Sequence, residues 1–515
     1  MNEKPKSTWR NFKRFLFGCA CFATLIALFY AEEDWRGWHA WNKFKHQWEA
    51  KGERFDRASV IPPAVPDDQN FAMTPIVASC YLRVLDKSGH PIWPANTNVV
   101  NRLEMTVVQN DDWPTNGTGN WQKSTVSDLR VWQNYYRATA AKTNEFPVPS
   151  QPGSPADDVL LALSKYDPAI EELRQASMLP YSRFPLNYDS ENPGFILLPH
   201  LQVLKHCSQV LQLRAIAELQ NGQSDKALAD INLMLRLADS VRTEPILISH
   251  LVRIAIVNLA LQPIWEGLAE HKWSDAQLME LDSELAKLDF LPDYKLTMHG
   301  GEMVLCQIGH SDYLRHHPEQ LPNLFNTEDG GNNRSTLVAC LCHLIPSGWI
   351  YQNELHCVRS MMELSLPLVD VDRRIVSPTD ARHADAVIEA DAKHPGLYNL
   401  LEKLMLPALG KASERIAYGQ NAVTMAHIAC ALECYRLAHG EYPESLDALA
   451  PQFTAKLPHD ITNGQPLNYR RTADGRFVLY SVGWNGTDDN GVVGLRENGS
   501  VDINTGDWVW RYPIK

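Results

Sequence analysis

The stretch Cys434-Tyr435-Arg436-Leu437-Ala438-His439-Gly440-Glu441-Tyr442-Pro443 is where this chain changes character. A long amphipathic helix beginning near Met425 runs into it, and beyond it lie Leu446, Leu449 and a Leu457-Pro458-His459-Asp460 corner. Two strand-like runs follow, Leu467-Asn468-Tyr469-Arg470 and Phe477-Val478-Leu479-Tyr480-Ser481-Val482-Gly483. A polar loop, Asn485-Gly486-Thr487-Asp488-Asp489-Asn490-Gly491, then leads to Val501-Asp502-Ile503 and Trp508. One long helix followed by short strands predicts a small α+β unit over residues 412–515.

Working back from that unit, residues 156–411 read as a helical domain, so the fold class expected is mainly α. Leu211 to Leu219 is helical and stops at Asn221-Gly222, and Ser224 is placed to cap a second helix through Ala227, Ile231, Met234 and Ala238. Ala217, Gly222 and Ala227 stand where a tetratricopeptide repeat sets its small packing residues and turn glycine, giving one repeat-like hairpin. A helix over Leu251 to Leu268 precedes another that starts at Ser274, with Gln277 completing a capping box. Gly348 to Leu368 and His383 to Leu409 supply two further helices. The loop His316 to Ser335 is long enough to be functional or mobile. The apolar run Leu337 to Ile345 is too short to cross a bilayer and reads as a buried helix.

At the other end, Phe15 to Ala31 is apolar and uncharged, just long enough at about 1.5 Å per residue to cross a core of roughly 30 Å. Residues 1–14 form a basic tail with Lys4, Lys6, Arg10, Lys13 and Arg14, and Glu32, Glu33 and Asp34 follow the run. By the positive-inside rule the amino terminus stays in the cytoplasm and the bulk of the chain is exported across the inner (cytoplasmic) membrane. Phe29 and Tyr30 before Ala31 are too large for a cleavage site, which favours a retained transmembrane anchor over 15–31. Residues 32–70 comprise a helix with a Trp35, Trp38, Trp41, Phe44 and Trp48 stripe, read either as lying at headgroup level or as a stalk, and then the Pro-rich linker Ile61 to Pro66. Residues 71–155 form an irregular covering segment, with turns at Ser88-Gly89 and Thr115 to Gly119 and a helix over Asp128 to Ala141.

The order of elements after Met425 resembles the globular half of the major (G-type) pseudopilin of type II secretion systems. In that family the loop after the last strand holds calcium, so the resemblance implies Asp488, Asp489 and Asp502 as ligands, with Asn485 and Asn490 as further oxygen donors. An acidic loop punctuated by glycine suits hard Ca²⁺, which takes six to eight oxygens. The same residues also make ordinary Asn/Asp/Gly turns. The chain departs from the family in that residues 32–411 separate anchor from module, and no glutamate lies between Phe15 and Ala31. A packing or docking module is therefore expected rather than a pilus subunit.

A net charge of −13 provides no basic face and argues against nucleic acid. Two further constellations contain reactive side chains. His299, Glu302, Cys306 and His310 lie on one helix, the last three at i, i+4 and i+8. Cys340, Cys342, His343, His356 and Cys357 are zinc-friendly atoms at irregular spacing, which suits packing better than a metal. No nucleophile elbow, phosphate loop or dinucleotide fingerprint is present. The expectation is a membrane-anchored envelope protein that binds or scaffolds a protein partner without enzymatic activity, its small-molecule substrate, if any, unspecified. The alternative is an exported hydrolase using His299, Glu302 and His310.

Overall fold

The computed structural model describes residues 6–81, 84–85, 91–92, 102–109, 112–190, 196–324, 342–393, 396–400, 406 and 410–513. The Ser88-Gly89 turn, Cys340, the second half of the His316 to Ser335 loop, most of the Leu337 to Ile345 run and much of Leu401 to Leu409 lie outside the described residues.

Helix α1 (Lys6–Glu49) is unbroken for 44 residues. Its first part is exposed on every side, through Phe15, Phe17, Phe22, Leu25 and Leu28, and is long and apolar enough to cross a membrane. Burial begins where the apolar run ends: Glu33, Gly37, Trp41 and Phe44 form a stripe at helical spacing. That stripe packs on the helix over Ser347–Ser360. The crossing is close because glycine faces glycine. A Cβ added at Gly37 would collide with the Gly348 backbone, and one at Gly348 with the Glu33 carbonyl. Of the two readings of the tryptophan stripe, the continuous stalk is the one the backbone adopts. The Pro-rich stretch is packed rather than free, with the Pro62 carbonyl accepting from Arg183 Nε at 3.1 Å.

The helical body comprises α2 (Leu129–Ala140), α3 (Pro155–Leu163), α4 (Asp167–Ala176), α5 (Pro199–Gln220), α6 (Ser224–Asp239), α7 (Leu247–Ala269), α8 (Asp275–Ala286), α9 (Leu291–Lys295), α10 (Gly309–His316), α11 (Ser347–Ser360) and α12 (Pro378–Ala392). The hairpin α5–α6 turns at Gly222, whose φ of 70° suits glycine, and α7 packs on both members. Ser224 is not the cap expected of it. Helix α6 starts on Gln223 without a side-chain cap, and the Ser224 hydroxyl accepts from Gln277 Nε2 at 3.0 Å. The capping box at Ser274 and Gln277 is formed. Helix α7 is as apolar as a membrane span, yet most of it is buried and Trp265 is fully enclosed. The expected helix Gly348 to Leu368 is interrupted, passing from α11 into a π turn over Met361–Ser365 and a 3-10 turn over Leu366–Leu368.

Helix α13 (Ala412–His439) ends at Gly440 with φ 84°. Short strand pairs β1/β2 (Val84–Leu85, Pro91–Ile92) and β3/β4 (Val369–Asp370, Ile375–Val376) precede α13. After α13 come β5 (Asn468–Arg471), β6 (Phe477–Ser481), β7 (Val493–Leu495), β8 (Val501–Gly506) and β9 (Trp508–Arg511). The antiparallel order is β5-β6-β9, with Tyr469 opposite Leu479 and Leu479 opposite Trp510, while β7 pairs with β8 separately. Strand β6 is buried along its whole length. Phe477 and Leu479 belong to the main core, and Val478 and Tyr480 form a smaller cluster with Val509 beneath Val493. One contiguous apolar core runs from Trp41 to Tyr512. Asn421 of α13 links helix and sheet, donating to Asp460 Oδ1 at 2.8 Å and to Ser481 Oγ at 3.1 Å.

Candidate binding crevice and the carboxy-terminal acidic loop

The loop from Trp113 to Ser127 is drawn onto α7 by two buried side chains. Gln262 Oε1 accepts from the Trp121 amide at 2.6 Å, and Gln262 Nε2 donates to the Thr125 carbonyl at 3.2 Å. Glu266 Oε1 accepts from the Ser127 amide and hydroxyl at 2.9 and 2.8 Å. Burial raises the Glu266 pKa, and these hydrogen bonds oppose the rise. The loop is also tied to the carboxy-terminal sheet: Trp121 packs on Trp510 with centroids 5.3 Å apart, and Arg511 Nε donates to Ser124 Oγ at 3.1 Å.

This arrangement leaves a crevice of about 540 Å³ between the loop, α5, α7 and α13. Its floor is Leu251, Ile254, Leu259 and Tyr418, and its polar lining includes Gln209, Gln212 and Asn258. Lys205 and Arg415, both exposed, add two cations to the lining. Among the described residues two of the lining residues each keep a buried polar atom without a partner, the Tyr418 hydroxyl and Asn258 Oδ1. Asn258 spends its Nδ2 on the Ile254 carbonyl at 3.0 Å, and Tyr418 is fixed edge-on against Trp508. Burial pushes the Tyr418 phenol far above its usual range, so it remains a neutral hydroxyl. A buried polar atom without a partner belongs where a ligand group or ordered water completes it. Sequence reasoning missed this crevice because its residues come from four separate stretches and no spacing rule connects them.

The acidic loop places Asp488, Asp489, Asn485 and Asn490 together. Asp489 Oδ2 accepts from Asn485 Nδ2 at 2.8 Å, and Asp488 Oδ1 accepts from the Tyr480 hydroxyl at 3.1 Å and the Asn490 amide at 2.9 Å. Asp502 is set apart on β8, where its Oδ1 accepts from the Asn504 amide at 3.2 Å and Arg496 lies 3.9 Å away. The carboxylate the sequence did not single out is Asp507. Almost fully buried, it accepts from the Gly491 amide at 2.6 Å and the Asp489 amide at 3.2 Å, closing the loop. Burial raises the Asp507 pKa, and the charges of Asp489 and Asp488 add to the rise. The donors are the oxygens a hard cation takes. Even so, no group of three His, Cys, Asp or Glu side chains among the described residues is arranged to hold a metal.

The residues considered for hydrolysis lie on a continuous helical segment whose first part is not an α-helix. Leu296–Ile308 is a π-helix, and α10 continues from it. A Cβ at Gly301 would collide with the Pro245 carbonyl, so the Gly300-Gly301 pair is what lets the segment approach the start of α7. The wider π turn rotates the expected face, yet Cys306 still feels the Glu302 charge: burial first and that charge second push its thiol up to about 12. Burial alone raises Glu302 to about 7 and lowers His310. His299 Nε2 is 3.2 Å from Glu53 Oε2. None of the three lines the crevice, nor a second cavity of about 330 Å³ beside Arg57, Tyr313 and His317. In the other constellation Cys342 and Cys357 are buried, while His343 points to solvent 3.7 Å from Glu319.

Comparison with protein-family models, curated proteins and solved structures finds no match for this chain. What stands is a mainly helical protein whose amino-terminal helix is long and apolar enough to span a membrane and whose helix α13 walls one side of a crevice through Arg415 and Tyr418.

Proposed function

We propose that this chain is a single-pass protein of the inner membrane that binds a partner protein of the cell envelope and carries out no chemistry of its own. Its amino terminus lies in the cytoplasm and its body is exported. The crevice is the recognition site, and the pseudopilin-like carboxy-terminal module is one of its walls. The observation that supports this reading is the crevice lining: an apolar floor, two unpartnered buried polar atoms, and the cations Lys205 and Arg415. That set suits an acidic segment, with a carboxylate held by the cations and a neighbouring side chain over Leu251 and Ile254. A photo-crosslinker at Gln212 in the full-length protein in cells tests it. One discrete adduct is expected, abolished by Lys205→Glu with Arg415→Glu. An adduct indifferent to charge reversal, or none, refutes the acidic-segment reading.

Calcium in the acidic loop belongs to the same proposal, with Asp507 replacing Asp502 in the donor set beside Asp488 and Asp489. The burial of Asp507 beside the charges of Asp489 and Asp488 supports it, since a bound cation would offset both effects on Asp507. Calorimetric titration of the full chain in detergent is expected to show binding that Asp507→Asn removes. Heat unchanged by that substitution counts against the loop as the site.

The hydrolase reading retains one supporting observation, the Glu302 carboxyl near 7, within the range of a general acid or base. His299, Glu302 and His310 line neither the crevice nor the cavity beside Arg57, and the binding reading rests on the crevice lining instead.

A further inference from the structure

The strongest unexplained surface feature surrounds the point where α1 leaves its apolar run. Trp35 and Trp38 on α1 are 63% and 52% exposed, and on the body side Leu344, Leu397 and Leu400 are 62%, 58% and 38% exposed. Such residues do not normally face water together. They are held at one height by direct contacts to the first turn past the span. The Tyr30 hydroxyl donates to the Leu344 carbonyl. Glu33 Oε2 accepts from Trp349 Nε1 at 2.9 Å and from the Tyr398 hydroxyl at 3.0 Å, and Asp34 Oδ1 accepts from the Gly348 amide at 2.8 Å. Trp349 and Tyr398 meet edge to face with centroids 6.3 Å apart, and Asn353 Nδ2 holds the Leu397 carbonyl at 2.7 Å.

At about 1.5 Å per residue Trp35 stands about 6 Å past Ala31, inside a headgroup layer of roughly 5–8 Å. The buried stripe Glu33, Gly37 and Trp41 faces the body, so Trp35 and Trp38 look the other way. Together the two sides form a collar around the exit of the helix. Aromatic and leucine side chains at that level are what an interfacial anchor uses.

We infer that this collar is a lipid-contacting seat: the folded body rests directly on the bilayer through Leu344, Leu397 and Leu400, with Trp35 completing the ring and Trp38, about 10.5 Å past Ala31, standing just beyond it. The occupant is the phospholipid surface around the anchor, because the patch is continuous with the exposed apolar helix that enters it. The inference rests on the reading of residues 15–31 as a bilayer span.

The test uses the full-length protein in phosphatidylethanolamine–phosphatidylglycerol vesicles, with benzoylphenylalanine placed singly at Leu344, Leu397, Leu25 or Met279. Met279, on α8, is an exposed apolar residue not among those tied to the anchor. Irradiation is expected to give phospholipid adducts at Leu344 and Leu397 several-fold above Met279 and comparable to Leu25. Lipid adducts at Leu25 but only background at Leu344 and Leu397 refute the seat while leaving the span intact. A protein–protein adduct at Leu344 or Leu397 assigns the patch to a second copy of the chain and also refutes it. No adduct at Leu25, with release of the protein by alkaline carbonate, overturns the span itself and the seat with it.

Discussion

Glu433 shows how one buried carboxylate reports on pH. Burial favours its neutral form, but hydrogen bonds from His271, Arg436 and Tyr442 outweigh that and hold it down to about 2. Its folded pKa is depressed, so its contribution is present above about 4.5 and lost as pH falls toward 2, about 3 kcal/mol in all. Urea midpoints of Glu433→Gln and the parent, compared at pH 7 and pH 3, are expected to converge at the lower pH. Glu302 has the opposite sign. Its pKa is raised to about 7, so stability is full below about 4.5 and lost as pH rises through 7. Glu302→Gln is expected to match the parent at pH 4.5 and exceed it by about 3 kcal/mol at pH 8.5. A variant no more stable at pH 8.5 rules out a desolvated carboxyl. Legibility at this scale followed range. The Ser274 box was readable because both partners lie within four residues, whereas Ser224 bonds a glutamine from another helix and Asp507 reaches back over a loop.

Among elements, the contact between α1 and α11 depends on two residues without side chains. Gly37→Leu places a branched chain where the Gly348 backbone lies and is expected to cost about 1–3 kcal/mol or more. Gly18→Leu, with open space around it, leaves the fold unchanged. Hydrogen exchange in α11 distinguishes them, with faster exchange only in Gly37→Leu; equal protection in both refutes a tight crossing. Periodicity revealed the long helices and the strands around Tyr469 and Leu479, and the uncharged run Phe15 to Ala31 revealed the apolar amino-terminal helix. It did not reveal the π segment over Leu296–Ile308, because residue spacing is nearly the same for either winding and the Gly300-Gly301 approach to Pro245 is a tertiary demand. Nor did it show that Glu33 and Asp34, read only as charges past the membrane, are partners for α11.

Beyond the apolar run, the molecule is joined by a core that crosses the region boundaries near residues 70, 155 and 411. Trp265 of α7 donates to the Arg511 carbonyl at 3.1 Å and packs against Tyr512, joining helical body to sheet. A single calorimetric transition is expected for the chain beyond its apolar run, and Trp265→Ala lowers its stability by about 3–5 kcal/mol while keeping it single. Two resolved transitions in the parent refute this coupling. The absence of a flexible joint in α1 also has a mechanical meaning. From Lys6 to Glu49 the helix is a rod of about 66 Å, clamped to the body by the second half of its length. Spans re-tilt when bilayer thickness changes, and a rod clamped in this way turns the body by the same angle. Under the proposed span the crevice, fixed to that body, swings with it as the far arm of a lever, so its attitude toward anything beyond the membrane would follow the thickness of the lipid beneath.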